Sequence, residues 1–182
     1  ALVGPFGTKA IAGYGVGARL EYLQIPIVFG LGMALITMVG TNVGAGLDAR
    51  AKRAAWTGAA IAGCICGAIG LLVAFAPHLW IDIFSHDGDV YAAGSRYLRI
   101  VGPTYGLYGV GLALFFAAQG AGRPAWTLAL AIGRLTVTGI GGAFAVFWLS
   151  GSLDSIYALM AAGLVLYGVG SALSVYFANW RE

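Results

Sequence analysis

Charged residues are scarce in this 182-residue chain. Asp, Glu, Lys and Arg make up 9% of it, whereas 60% is hydrophobic and the mean hydropathy is +0.87. Soluble domains carry about a quarter of their residues as charged side chains. The shortage of charge therefore excludes an ordinary soluble domain and predicts an integral membrane protein.

Cysteine and histidine are also rare. Cys64 and Cys66 are one residue apart in the apolar run "IAGCICGAIGLLVAF", a spacing that fits neither a zinc site nor a redox pair. We interpret both as small residues for helix packing. The candidates for an acidic or histidine-rich site cluster around one loop: His78, Asp82, His86, Asp87 and Asp89. Their mixed spacing matches no metal motif, so we predict no enzyme, no catalytic residue, no metal site and no cofactor.

The net charge of +3 comes from Lys and Arg residues that are scattered singly between apolar runs. No basic patch is formed, which argues against a nucleic-acid partner. The glycines of "GTNVGAG" do not form a phosphate-binding loop, because no strand precedes them and no lysine follows in the required position. The chain opens on Ala1 with "ALVGPFG", without Met or a basic leader. This opening is typical of the end of a helix whose start is missing.

Long hydrophobic runs are what the sequence has in abundance. About 20 apolar residues are needed for a helix to cross a membrane. Five runs qualify, and together they predict a single all-α transmembrane unit over residues 1–182, with a sixth span before Ala1. The spans are about 11–41, 54–81, 90–118, 125–149 and 156–177. Glycines four apart predict that these helices pack closely: Gly13 and Gly17, Gly40 and Gly44, Gly63 and Gly67, and Gly102 and Gly106.

Loop charges predict the orientation of the spans. Basic and acidic loops alternate, and basic loops stay on the cytoplasmic side. The basic residues are Arg50, Lys52, Arg53, Arg123 and Arg181, and the acidic ones are Asp87, Asp89 and Asp154. We therefore expect a cytoplasmic C-terminus. Tryptophan is found at predicted helix ends, as in an aromatic belt, at Trp56, Trp80, Trp126, Trp148 and Trp180.

Three segments resemble one transporter family. They are "GYGVGARLEYLQIPIVFGLGMALITMVGTNVGAGLDARAKRAA" at residues 13–55, "LWIDIFSHDGDVYAAGSRYLRIVGP" at 79–103 and "AAQGAGRP" at 117–124. The first has the Arg-Leu-Glu step, the proline, the Val-Gly-Thr-Asn motif and the Gly-Ala-Gly turn of a lobe helix in multidrug and toxic compound extrusion (MATE) transporters. The other two resemble the outer loop and the fourth lobe helix of that family.

The resemblance implies two six-helix lobes around a central cavity, which exchange cationic drugs or small organic solutes for sodium ions or protons. The chain has room for one lobe, and its short "NWRE" end is similar to the end of the C-terminal lobe. The expected partners are a missing N-terminal lobe, the lipid bilayer of the inner (plasma) membrane and a small cationic substrate. An alternative is a half-transporter subunit that works only after pairing with another lobe. The third span has no acidic residue between Val90 and Ala118, which departs from the sodium-coupled members.

The candidate residues of the substrate or ion pathway are polar side chains within the spans. They are Arg19, Glu21, Gln24, Asn42, Tyr105, Tyr108 and Gln119. Ionisable residues at membrane depth are costly and point to function. Arg19 and Glu21 are two positions apart, so they lie on different helix faces and are not expected to pair.

The position of Glu21 is open between the lobe interior and the outer membrane interface. In the interior, Glu21 would attract a cationic substrate or hold a partner arginine such as Arg96 or Arg99. Arg134 needs a carboxylate or carbonyl partner, and no acid is near it in sequence. Hydrogen bonding between helices is an alternative role for the neutral polar candidates.

Overall fold

The computed structural model describes residues 3–144 and 152–178, and within these ranges all regular structure is helical. After a short 3-10 turn at Gly4–Phe6, the helices are α1 (Thr8–Gly44), α2 (Asp48–Phe75), α3 (His78–Ile81), α4 (Gly88–Val101), α5 (Tyr105–Gly120), α6 (Ala125–Thr136) and α7 (Leu153–Phe177). A 3-10 turn, Gly102–Thr104, joins α4 to α5, and a π-helical segment, Val137–Gly141, extends α6 towards Phe144.

Five helical segments of the described chain are long and apolar enough to cross a membrane, which confirms the predicted all-α membrane class. They are Thr8–Gly44, Asp48–Phe75, Gly88–Gly120, Ala125–Phe144 and Leu153–Phe177. The end of the fourth predicted span, Trp148, Trp180 and Arg181 lie outside the described residues.

Two predicted spans are altered at a proline. The second was expected to reach residue 81, but α2 ends at Phe75 and α3 begins just after Pro77. The third is one membrane-spanning segment as expected, Gly88–Gly120, but a 3-10 turn containing Pro103 lies within it between α4 and α5. Ala76, before Pro77, leaves the helical region with φ −127° and ψ 67°, and α2 ends there. At Pro103 the backbone stays helical, with Gly102 at φ −49° and ψ −48°, and the missing proline N–H changes only the hydrogen-bond pattern.

Helix α5 lies at the centre of the lobe and packs against α1, α2 and α7. Small residues make these contacts possible. A Cβ added to Gly168 of α7 would lie 2.3 Å from the Leu107 carbonyl oxygen, and one added to Gly109 of α5 would lie 2.7 Å from the Ala62 oxygen. Such approaches are typical of membrane helices, which associate by close backbone packing.

The loop between α3 and α4 is fastened to the start of α1. The Asp87 carboxylate caps α4 by accepting hydrogen bonds from Asp89 N at 3.0 Å and Val90 N at 3.2 Å, and it also pairs with Lys9. Nearby, Trp80 Nε1 donates to the Val16 carbonyl oxygen at 2.8 Å. The acidic loop residue Asp87 therefore has a structural role as helix cap and ion-pair partner.

The outer surface of the lobe is strongly apolar. Helix α1 alone exposes Tyr22, Leu23, Ile27, Phe29, Met33 and Met38. Exposed apolar side chains in this number would aggregate in water. They suit contact with lipid or with another membrane segment.

Candidate functional site

An ion pair between α1 and α6 forms the centre of the candidate site. Glu21 Oε1 accepts a hydrogen bond from Arg134 Nη2, and the two side chains are only 18% and 22% exposed. Arg134 is the tenth residue of the 20-residue span Ala125–Phe144, so it lies near the middle of that span. Its partner Glu21 shares this depth, which favours the interior position over the interfacial one considered from the sequence.

Tyrosines surround both charges. Tyr97 of α4 donates its hydroxyl hydrogen to Glu21 Oε2 at 3.4 Å. The Arg134 guanidinium lies over the Tyr108 ring of α5, with Cζ 4.8 Å from the ring centroid. This cation–π contact and the ion pair together hold the guanidinium in a partly desolvated position. We call Glu21, Arg134, Tyr97 and Tyr108 the ion-pair site.

Two further tyrosine rings pack against the ring of Tyr97. Its ring meets Tyr14 edge-on at 5.5 Å between centroids and Tyr157 edge-on at 5.3 Å. Tyr157 and Tyr97 are almost fully buried. Edge-to-face contacts of this kind are favourable and fix the ring orientation, so the Tyr97 hydroxyl is aimed at Glu21 by packing from α1 and α7.

Some buried polar atoms near this level have no hydrogen-bond partner among the described residues. They include Gln24 Oε1, the Tyr105 hydroxyl and the Tyr157 hydroxyl. Gln24 is fully buried one turn beyond Glu21, and its Nε2 donates to the Leu20 carbonyl oxygen at 3.4 Å. Buried polar atoms usually find a partner, so a water molecule or a bound solute would be accepted here.

The structure brings together only part of the predicted pathway. Glu21 and Tyr108 meet at Arg134, and Gln24 follows Glu21 along the same helix. Arg19 is exposed and lies over the Phe84 ring, with Cζ 5.2 Å from the centroid. This placement agrees with the expectation that Arg19 and Glu21 lie on different faces.

Two other candidates are remote from the ion-pair site. Asn42 is in the last turn of α1, where its Nδ2 donates to the Met38 carbonyl oxygen at 2.6 Å. Gln119 is half-buried at the end of α5. Their assignment to a substrate pathway stays a prediction.

The expected partner of Glu21 was wrong. Arg96 and Arg99 are exposed on α4, whereas Glu21 pairs with Arg134. The ion pair spans 113 positions of sequence and the Tyr97 contact spans 76, so no local pattern could identify either. The signal that was available is that Arg134 and Glu21 each needed a counter-charge at membrane depth.

A small cavity opens beside Arg134. Its volume is about 220 Å³, and it is lined by Tyr108, Leu112, Phe115, Ala131, Arg134, Leu135 and Tyr167. Within the described chain, no group of three or more His, Cys, Asp or Glu residues could hold a metal ion. The chemistry available at the site is that of a carboxylate, a guanidinium and tyrosine hydroxyls.

Comparison with known proteins agrees with the helical architecture. A curated relative, the "FAD transporter" of Shewanella oneidensis, is 27% identical over 129 residues, which cover 71% of this chain and 28% of the relative. The chain thus spans less than a third of that relative's length. The sequence model of the MatE family matches residues 1–145, well over half of the 182 residues. The chain belongs to the MatE family, and it is a multi-pass membrane protein.

Proposed function

We propose that the chain is the C-terminal lobe of a secondary active antiporter, and that Glu21 is the residue where ions or substrates are exchanged. The transported solutes would be cationic drugs or small organic molecules, and the coupling ion would be sodium or a proton. The observation that carries this proposal is the Glu21–Arg134 ion pair near the middle of a membrane span. Such pairs are rare in membranes and typically mark ion or substrate routes.

Exchange follows from competition for one carboxylate. In the paired state Arg134 neutralises Glu21, so the lobe contains no uncompensated charge at this position. A cationic substrate, a sodium ion or a proton that reaches Glu21 has to replace the guanidinium. Because the coupling ion and the substrate compete for the same carboxylate, binding of the coupling ion favours release of the substrate. The Tyr97 hydroxyl supports the negative charge in either state.

A second candidate substrate class is anionic. Arg134 faces a cavity with Tyr108, Phe115 and Tyr167 in its wall, and arginine beside aromatic rings suits a phosphate joined to a planar ring system. The Shewanella relative is named an FAD transporter. In this version the substrate phosphate competes with the Glu21 carboxylate for Arg134. The ion pair is then broken by replacement of Glu21 and not of Arg134.

Both versions describe a transporter and not an enzyme, with no cofactor. They also apply to a half-transporter subunit that pairs with another lobe. The expected partners are the lipid bilayer of the inner membrane and an N-terminal lobe of six helices, because alternating access requires two lobes to move against each other.

The ion-pair site is tested by removing both charges at once. In proteoliposomes that contain this chain together with its partner lobe, we expect Glu21→Gln/Arg134→Met to reduce exchange of ethidium against an inward sodium or proton gradient at least tenfold. The paired variant avoids leaving one buried charge alone. Arg99→Gln, an exposed position on α4, is the control and should transport normally.

The outcome of that assay also separates the substrate classes. Wild-type exchange of ethidium supports the cationic version. Exchange of FAD without ethidium, lost in the same paired variant, supports the anionic version. Unchanged exchange of either substrate by the paired variant would contradict the role assigned to Glu21.

The proposed orientation is tested by cysteine accessibility. With Cys64 and Cys66 replaced by alanine, single cysteines at Ser85 and Ser152 should react with a membrane-impermeant maleimide added outside cells. A cysteine at Ala49, in the exposed first turn of α2 beside the basic residues, should react only after permeabilisation. The opposite labelling pattern would reverse the topology, with residues 46–53 and the C-terminus outside.

A further inference from the structure

A second, larger cavity lies between α1 and α2 at the end where the two helices are connected. Its volume is about 480 Å³. It is lined by Leu31, Ala34, Leu35, Met38, Asn42, Arg50, Arg53, Ala54, Thr57, Gly58 and Ile61. None of these residues belongs to the ion-pair site, and the transport proposal gives the cavity no role.

The polar end of this cavity is positively charged. Arg50 and Arg53 lie three apart in the first two turns of α2, which places them on one face of the helix. Both side chains are exposed, and neither forms an ion pair with any residue that the structure describes. Asn42, in the last turn of α1, completes this end. Two neighbouring guanidinium groups without a counter-ion favour an anion.

The rest of the cavity is an apolar groove that follows the helices away from the charges. Ile61 is eight residues beyond Arg53 and Leu31 is eleven residues before Asn42, so the groove extends about 12 to 16 Å along the helix axes. Leu35 and Gly58 form its buried floor, where a Cβ added to Gly58 would lie 2.6 Å from Leu35 Cδ2.

Charge and depth together identify one kind of ligand. The Arg50 and Arg53 end is where the membrane-spanning helices begin and end, which is the level of lipid headgroups. The apolar groove below it lies at the level of the acyl chains. Basic pockets between membrane helices are suited to anionic lipid headgroups, and a soluble anion would leave the apolar part unused.

We propose that this cavity binds an anionic phospholipid, with its phosphate at Arg50 and Arg53 and one acyl chain in the groove beside Met38 and Ile61. A lipid bound there bridges the ends of α1 and α2 next to the turn that connects them. Since α1 also carries Glu21, the lipid holds in place the helix that bears the ion-pair site. The inference rests on the helices spanning a bilayer and not on the transport proposal.

The binding test uses the intact polypeptide in detergent micelles and native mass spectrometry. Dioleoylphosphatidylglycerol is titrated in and dioleoylphosphatidylcholine is the neutral reference. We expect preferential retention of phosphatidylglycerol, weakened about fivefold by removal of each arginine and roughly 25-fold in Arg50→Gln/Arg53→Gln. Lys52 is in the same two turns of α2 but does not line the cavity, so Lys52→Gln should change binding less than about twofold.

Two further arms identify the ligand. Ala54→Leu fills the groove while keeping both arginines, and it should weaken phosphatidylglycerol binding as well. Glycerol 3-phosphate, which has the headgroup chemistry without acyl chains, should not displace the lipid at equal concentration. Equal retention of the two lipids, full binding by the double arginine variant, or displacement by glycerol 3-phosphate would each overturn the lipid site.

Discussion

Glu21→Gln should destabilise the protein by about 3 kcal/mol, because it leaves the Arg134 guanidinium without its counter-charge inside the lobe. Breaking a buried ion pair from one side typically costs about 3 to 5 kcal/mol, and the lower end applies because both side chains keep some exposure. The measurement is the Tm of the intact polypeptide in detergent, together with its folded yield. At roughly 2 to 4 °C per kcal/mol, Tm should fall by about 6 to 12 °C.

The matched control for this change removes the second charge. Glu21→Gln/Arg134→Met replaces the ion pair by uncharged side chains of similar length, and we expect most of the lost Tm to return, since no isolated charge remains. Arg96→Gln and Arg99→Gln should leave Tm unchanged, because both arginines are exposed. If Glu21→Gln alone has no effect on Tm, the two side chains are solvated separately and the ion pair is not a structural unit.

Measurements of stability and of transport distinguish two roles for Glu21. A residue that only anchors Arg134 should be replaceable by the uncharged combination without loss of exchange. A residue that exchanges cations should lose exchange in every variant that lacks the carboxylate. The paired variant is therefore informative in both assays, because it is expected to be folded and inactive.

Hydropathy alone was sufficient to predict the membrane helices. Each of the five spans was predicted from its length and lack of charge, and each corresponds to a helical segment in the described chain. The boundaries were less accurate at Pro77 and Pro103. At both positions the apolar character continues through the proline, whereas α2 ends before Pro77 and a 3-10 turn interrupts the α-helix at Pro103, so a hydropathy pattern cannot detect either change.

The ion-pair site was only half predictable. The sequence identified Glu21 as a residue that needs a partner and Arg134 as another, but pairing depends on how α1 and α6 are placed by the helices between them. Tyr97 was missed because a tyrosine at a helix face is common and its role appears only when the Tyr14 and Tyr157 rings orient it. Such contacts come from tertiary packing and leave no local pattern.

Glycine spacing predicted close packing but did not identify all the contacts. Gly63 and Gly67 do face Gly106, whereas an added Cβ at Gly44 would meet nothing within 4 Å. The tightest helix approach involves Gly70, which was not among the predicted pairs. Its partner is Gly102, which was among the predicted close-packing glycines and lies in a 3-10 turn that the hydropathy pattern did not predict.

Gly70→Ala should therefore have a large effect on stability. A Cβ at Gly70 would lie 2.1 Å from the Gly102 carbonyl oxygen and 3.0 Å from Tyr105 Cβ. Both neighbours belong to the backbone or to the first side-chain atom, so neither can rotate away. Helix α2 would have to move from the junction of α4 and α5, at a cost of about 3 kcal/mol, the upper end of the usual range for overpacking.

Gly30→Ala is the matched control for this last prediction, because it makes the same chemical change on α1 where no atom lies within 4 Å of the added Cβ. We expect Gly70→Ala to lower Tm in detergent by about 6 to 12 °C, whereas Gly30→Ala should leave Tm equal to or slightly above that of the wild type, because alanine is the better helix former. The junction of α4 and α5 precedes Tyr105 and Tyr108, so displacement of α2 should also disturb the Tyr108 ring beneath Arg134. Equal Tm values for the two variants would mean that α2 does not approach the turn at Gly102 as closely as described, and the break at Pro103 would then have no packing role.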